Sequence, residues 1–351
     1  MGAVCIEKCL QIYHYFEPNL DNNNHPAPNI ESRFLELGKY IEKKQFNRKI
    51  PEQVQNFRTD NKFSIPNKLN IIENVYLKDP LQFDENGNIY NGNWNENAQM
   101  HGYGEYYIET EKKFIEGVWY NNNLVYGRIF YSNNYLFDLY EGYINNFLPN
   151  GKGKIFFSTG DKYKGDFREG RREGTGKYVF SDKTEYKGKF INNKFDGKGT
   201  IEWTNNIKYE GEFSEGYLNN EGILFDKEGE KYEGNFKNNF FEGKGKYTFE
   251  DGSTYEGSFA LNLRNGEGIF IKSNDEFRYE GNWVNDYPNG SGTFIKGNII
   301  IEGTWENGKN KKYSITNAGQ NNEFKENDLN FNSKIPNINL IPLRLPHMKK
   351  K

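Results

Sequence analysis

Cysteine is almost missing from this 351-residue chain, with Cys5 and Cys9 the only two. A disulfide framework is therefore excluded, and a reducing compartment is the natural setting. Aliphatic side chains are scarce too: 35% of residues are hydrophobic, but 17% are aromatic, with 28 Phe, 25 Tyr and 5 Trp. A conventional aliphatic core does not follow from such a composition, nor from a mean hydropathy of -0.95. The rings equally exclude a disordered polyampholyte, which is poor in aromatics. No stretch approaches the roughly 18 apolar residues of a spanning helix, and Glu7 and Lys8 stand where a secretion signal would be apolar. Neither a membrane span nor a standard secretion signal is expected.

Catalytic groupings are lacking as well. The histidines His14, His25, His101 and His347 are scattered, without the Cys and His spacing of a metal site. His101 precedes Gly102 and reads as structural rather than as a ligand. The Gly-Lys-Gly triplets lack the Gly-x4-Gly-Lys-Ser/Thr arrangement of a phosphate loop. Glu210 and Glu212 fall at strand spacing on an outward face, as solvated carboxylates do. No enzyme activity, metal, cofactor or nucleic-acid partner is expected.

Rings and glycines, by contrast, are abundant and regular. A Tyr-x-Gly-x-aromatic pattern begins at Tyr90, Ile115, Tyr140, Tyr163, Tyr186, Tyr209, Tyr232, Tyr255, Tyr279 and Ile301, with steps of 25, 25, 23, 23, 23, 23, 23, 24 and 22 residues. About eleven residues on, most units carry Gly-x-Gly before apolar residues, as in Gly151-Lys152-Gly153 and Gly243-Lys244-Gly245. The alternation is of period two, so each unit reads as a β-hairpin with one buried face. On that face Tyr163, Gly165 and Phe167 alternate with Lys162, Lys164, Asp166 and Arg168 on the other. Glycine weakens a strand unless it serves a close approach, and a ring from a neighbouring strand lying over the bare backbone would supply one. The 51 asparagines read as the drift of an AT-rich genome, without functional meaning.

The repeat resembles the MORN family, the membrane occupation and recognition nexus, across residues 88–308. Ile115, Ile144 and Ile301 at ring positions, the lone Gly127 and Asn220 in place of a glycine depart from its pattern. The resemblance implies an all-β fold: an elongated, twisted antiparallel meander of about ten hairpins. The array is placed at residues 86–310, after a helical and irregular capping flank at 1–85 and before a mostly disordered tail at 311–351. Within the flank, Ile30, Phe34, Leu37 and Tyr40 or Ile41 predict an amphipathic helix over Asn29 to Phe46 docked on the first hairpin, with residues 47–85 irregular. The tail holds Ile338-Asn339-Leu340-Ile341-Pro342-Leu343-Arg344-Leu345-Pro346 and then Lys349 to Lys351.

Charge is segregated. Basic against acidic residues number 14 and 19 over 1–151, 13 and 7 over 152–198, 10 and 20 over 199–306, and 9 and 3 over 307–351. The basic block, with Lys152, Lys154, Lys164, Arg168, Arg171, Arg172, Lys187 and Lys189, is a candidate for an anionic lipid or protein surface. At the N-terminus, Gly2, Cys5 and Cys9 resemble a dual-acylation signal, with Ile6 where Ser or Thr is usual. These features lead to the expectation of a non-catalytic scaffold on the cytoplasmic face of a plasma or cortical membrane, recruiting cytoskeletal or signalling proteins. A ciliary or axonemal structural component and a phosphoinositide-binding module are the alternatives. Exposed end strands make homo-oligomers conceivable.

Overall fold

The computed structural model describes residues 37–61, 63–66, 69, 76–77, 80–83, 85–133 and 136–316. Gly2, Cys5 and Cys9, the first part of the expected helix and the tail beyond residue 316 lie outside the described residues. The chain divides into two compact units, Met1–Arg171 and Arg172–Lys351. Each is built almost wholly of antiparallel strands that pair in chain order.

Unit 1 holds the strands Ile89–Trp94, Met100–Ile108, Lys113–Tyr120, Asn123–Asn133, Leu136–Asn145, Leu148–Phe156 and Lys162–Arg168. The registers at Ile115 and Tyr140 form hairpins like the rest. The flank departs from the helix expected over Asn29 to Phe46. Lys39–Tyr40 is extended and pairs with Leu81–Gln82. A side chain at Gly38 would meet the Gln82 carbonyl oxygen. Two helices follow, α1 at Lys43–Lys49 and α2 at Glu52–Asp60, so residues 47–85 are not simply irregular. Pro51, the N-cap of α2, separates them because proline starts a helix readily but cannot continue one. Phe46, Ile50 and Val54 bury themselves against Ile89, Tyr107, Phe114, Phe130 and Leu139. The helices thus cover several hairpins, not the first alone.

Unit 2 holds the hairpins Glu185–Ile191 with Lys194–Glu202, Lys208–Ser214 with Tyr217–Phe225, Lys231–Lys237 with Phe240–Thr248, Thr254–Ala260 with Leu263–Ile271, Arg278–Val284 with Tyr287–Lys296, and Ile299–Glu306 with Lys309–Thr316. Its core is a row of rings. Tyr232 meets Phe236 edge to face at 5.1 Å, lies flat on Phe241 at 3.8 Å, and meets Phe259 of the next repeat at 5.1 Å. Tyr186 repeats the set with Phe190, Phe195 and Phe213. Such ring pairs stabilise by about 0.5–1.5 kcal/mol beyond their buried area. At Arg264 a guanidinium replaces the flat ring. It is 1% exposed, lies 4.9 Å from the Trp283 ring centre and pairs with Asp286 at 2.9 Å.

A ring from the neighbouring strand lies over one glycine of the pair, as expected, and the same ring also reaches the glycine of its own strand. In most facing pairs the ring belongs to the tyrosine two residues before one of the glycines, while at Gly117 and Gly127 the Leu124 side chain takes its place. A Cβ on Gly245 would fall 2.5 Å from the Tyr232 hydroxyl, and one on Gly234 would fall 2.5 Å from Gly245 Cα. The hydroxyl then donates to the Asn235 carbonyl at 2.8 Å, where the pairing register shifts. Tyr186, Tyr209, Tyr255 and Tyr279 make the same bond three residues on. The tyrosine thus spans the glycine and satisfies a carbonyl loosened by the bulge.

The asparagines have a structural use beyond compositional drift. Hairpin turns such as Asn192-Asn193 and Asn238-Asn239 hold both residues at positive φ, 48° and 70° or 51° and 72°, the two-residue turn whose twist suits adjoining strands. The second residue then reaches back to the preceding hairpin. Asn193 Oδ1 accepts from Arg172 N, Asn239 Oδ1 from Leu218 N and Asn262 Oδ1 from Phe241 N, at 2.8, 2.8 and 2.6 Å. Asp286 does the same for Arg264 N at 2.8 Å.

Candidate binding groove

Facing glycines form an unbroken line across unit 2, from Gly176 through Gly188, Gly199 and onward to Gly292 and Gly303. On one side the tyrosines cover that line. On the other it is bare backbone, because residues flanking each glycine point outward while the glycine offers nothing between them. The result is an open trough of about 1050 Å³ floored by Gly234, Gly245, Gly257, Gly268, Gly281 and Gly292. Its walls carry Glu233, Glu256, Glu267, Glu280 and Glu302, against Lys244 and Lys246.

These walls follow from the repeat. The residue before the glycine is Glu in seven of ten registers, at Glu116, Glu141, Glu210, Glu233, Glu256, Glu280 and Glu302. Pairing then sets Glu256 opposite Ile269, Ile269 opposite Glu280, Glu280 opposite Thr293 and Thr293 opposite Glu302. Acidic and apolar or small side chains therefore alternate along the wall. All five groove glutamates are exposed. Glu280 pairs with Arg278 at 2.6 Å, Glu233 with Lys231 at 2.9 Å and Glu256 with Lys246 at 3.9 Å; exposed pairs of this kind bind weakly. Such a trough can hold an extended segment that brings cations to the wall and apolar atoms to the floor.

The same face of unit 1 is filled by the chain itself. Glu105 faces Glu116, which faces Arg128, which faces Glu141. Two like charges opposite each other repel, and Arg58 of α2 resolves the conflict by binding both. Its Nε donates to Glu116 at 2.8 Å and its Nη2 donates to Glu105. Arg128 Nε donates to Glu141 at 3.0 Å, and its Nη1 donates to the Asn61 carbonyl at 2.7 Å. Apolar groups complete the seal. Arg58 lies 4.8 Å from the Phe114 ring centre, and Phe63 stacks on Tyr126 at 5.9 Å. Burial by itself would lower the Arg58 pKa, but the charges of Glu116 and Glu105 leave it raised. The neighbouring Tyr103 phenol is held well above its usual value, first by burial and then by Glu116 and Glu105.

The eight residues of the expected basic surface are divided between the two units. Lys152, Lys154, Lys164, Arg168 and Arg171 belong to unit 1, and Arg172, Lys187 and Lys189 to unit 2. Lys152 pairs with Asp166 at 2.5 Å and Lys154 with Glu141 at 3.3 Å. Lys164 faces Lys154 across the strands and is exposed, as are Arg168 and Arg171. Arg172 is a structural clamp: its Nη2 donates to the Asn193 carbonyl at 2.9 Å and its guanidinium lies 5.1 Å from the Tyr178 ring centre. Lys187 faces Lys177 and stands 3.7 Å from Glu185, while Lys189 faces Thr175 and both lysines are exposed. His101 sits against Tyr120, with Nδ1 3.2 Å from Asn121 Oδ1. Among the described residues no group of His, Cys, Asp and Glu side chains is placed to hold a metal, and no helix is long and apolar enough to cross a membrane.

Sequence reasoning missed Arg58 and the groove. The signal for the groove was present in the Glu that precedes the glycine in seven of ten registers; the one for Arg58 was not, since nothing local connects residue 58 to residues 105 and 116.

Comparison with known proteins agrees with this repeat architecture. The MORN repeat family model matches residues 90–110, 163–185, 186–207, 209–229, 232–254, 255–276 and 279–298. The three registers it leaves unmatched are those that contain the departures Ile115, Ile144 and Ile301. No curated protein matches the chain. Similar solved structures include the SAS-4 TCP domain of Drosophila melanogaster, with 9% identity, 73% of this chain and 97% of that chain covered, and a TM-score of 0.18. Virginiamycin B lyase from Staphylococcus aureus has 11% identity, coverage of 73% and 87%, and a TM-score of 0.13. A streptogramin B lyase has 13% identity, coverage of 74% and 86%, and a TM-score of 0.13. At these scores no functional argument follows from the structural neighbours.

Proposed function

Taking as premise that this chain belongs to the MORN repeat proteins, we propose that it is a non-catalytic scaffold that holds a protein partner in the glycine-floored groove of unit 2. One observation carries the reading: the face that is sealed by Arg58 and aromatic side chains in unit 1 is open and lined by glutamates in unit 2. The partner's chemistry is then an extended segment with arginine or lysine between apolar residues. Selection of a random peptide library on the full chain tests it. Enrichment of such segments, lost in Glu256→Lys/Glu280→Lys, is expected; neutral or acidic winners indifferent to those changes would overturn it.

The scaffold is further proposed to sit on the cytoplasmic face of a membrane, through acyl chains on Gly2, Cys5 and Cys9. A single myristoyl chain anchors marginally and a second signal makes it stable, which is why the coincidence of Gly2 with both cysteines supports the tether. Fractionation of Gly2→Ala decides: release to the soluble fraction is expected. Unchanged, detergent-resistant sedimentation would instead favour a cytoskeletal or axonemal structural role. Anionic lipid contact by the basic block is a second reading, supported by exposed Lys164, Arg168 and Arg171. Liposome flotation of Lys164→Glu/Arg168→Glu/Arg171→Glu should show loss if that block binds lipid.

A further inference from the structure

The strand that closes unit 2, Lys309–Thr316, ends beside the groove face. Thr316 pairs with Ile300, and Ile300 shares the groove face with Glu302 two residues on. Ile295 faces Ile300 and also faces Arg278, which faces Ile271. Ile269, Ile271, Ile295 and Ile300 are all half-buried. This end of the trough therefore joins an apolar seat to the glutamate wall.

The sequence beyond residue 316 offers a matching occupant. Residues 329–351 contain Lys334, Arg344, Lys349, Lys350 and Lys351 and no acidic residue. Arg344 stands between Leu343 and Leu345, after Ile338, Leu340 and Ile341. That is the chemistry by which the chain fills the groove face of unit 1, where Arg58 follows Phe57 and lies over Phe114 while Phe63 lies over Arg128. The reach also fits. The 22 residues from Thr316 to Ile338 have a root-mean-square span of about 25 Å if flexible. The seven strands whose glycines and walls form the trough occupy about 29 Å at about 4.8 Å per spacing. A linker whose typical span matches the separation gives the highest effective concentration, about a millimolar.

We infer that residues 338–351 of this chain occupy the groove of unit 2 in cis, with Arg344 and the terminal lysines on the glutamate wall and the leucines and isoleucines on the seat formed by Ile269, Ile271, Ile295 and Ile300. The inference rests on the groove being a binding surface. Its consequence is that a partner must displace the tail, so that the scaffold is self-occluded until a competing segment arrives.

Two measurements on the full chain separate the inference from the reading beneath it. In the first, a zero-length carbodiimide couples lysine to carboxylate in dilute protein, and the products are mapped. Links from Lys349, Lys350 or Lys351 to Glu256, Glu267, Glu280 or Glu302, in a yield independent of protein concentration, are expected. Links scattered over glutamates elsewhere, or a yield that falls on dilution, would overturn occupation in cis. In the second, a fluorescent peptide of residues 334–351 is titrated into wild type and into Arg344→Glu/Lys349→Glu/Lys350→Glu/Lys351→Glu. The variant is expected to bind the peptide at least about tenfold more tightly, because its groove is vacated, and Glu256→Lys/Glu280→Lys added to the variant should abolish that binding. Equal, groove-dependent binding to wild type and variant would sink the inference while leaving the groove intact. No binding to either, or binding indifferent to the groove changes, would remove the groove reading along with it.

Discussion

The two units carry the same repeat but treat its outer face in opposite ways. In unit 1 the residues beside the glycines are covered by α2 and the segment after it, and Glu116 is left with a side chain 3% exposed between Arg58 and Arg128. In unit 2 the corresponding Glu256 has a side chain 71% exposed. The hairpins do not differ in kind, since tyrosine over glycine and paired turns recur in both. What differs is whether another segment supplies the cation and the apolar cover. Among the described residues, the outer face of unit 2 is thus a socket that no second segment fills.

The largest expected difference concerns Arg58. Arg58→Ala strands Glu105 opposite Glu116 in a buried setting, and removal of one partner of a buried pair costs about 3–5 kcal/mol. Denaturant unfolding of the full chain should show a destabilised transition for unit 1. Glu280→Gln, the counterpart change in the open groove, should cost under about 0.5 kcal/mol. Equal costs would mean that the two faces are not differently occupied.

The ring and glycine core should respond to substitution in either unit. Gly245→Ala or Gly153→Ala would set a methyl group 2.5 Å from the Tyr232 or Tyr140 hydroxyl, and such overpacking costs about 1–3 kcal/mol. A smaller loss belongs to Asn239→Ala, which removes the bond to Leu218 N and strains a residue at φ 72°; about 1–2 kcal/mol is expected, read as a lowered melting temperature. The turn counterpart in unit 1, Asn122, accepts from Met100 N at 2.8 Å with φ 67° and should cost the same.

No difference between units is expected in alkali. Burial holds Tyr140 in unit 1, and Tyr209, Tyr232 and Tyr279 in unit 2, well above the usual phenol range. The native state keeps these protons while the unfolded chain loses them near pH 10. Protons bound are then fewer in the unfolded state, so stability is intact below pH 10 and falls as pH rises from there towards the raised native values. Circular dichroism against pH should show both units unfolding together above pH 10; loss of one at neutral pH would break the equivalence.

The hairpins were legible because their cause is local: a glycine two residues after a tyrosine can be read from a short window. Departures at Ile115 and Ile301 did not change the strand, since any apolar side chain with the right alternation suffices for the inner face. The Asn turns were visible as residues but not as staples, because their partners lie about 20 residues back. Arg58 was further out of reach. Its meaning depends on pairing that sets Glu105 against Glu116, and only then does a helix arginine become necessary. Within the basic block, likewise, proximity along the chain did not reveal that Arg172 would be committed to Asn193 and Tyr178.

Carboxylate labelling tests the contrast most directly. In the full chain bearing Arg344→Glu/Lys349→Glu/Lys350→Glu/Lys351→Glu, glutamates would be coupled by carbodiimide to a small amine and the modified peptides followed in time. Glu256, Glu267 and Glu302 should react at the rate of solvated carboxylates, while Glu105 and Glu116 should react only as unit 1 unfolds and promptly once Arg58 is replaced. Equal rates for the two sets in the folded protein would contradict a face filled in one unit and vacant in the other.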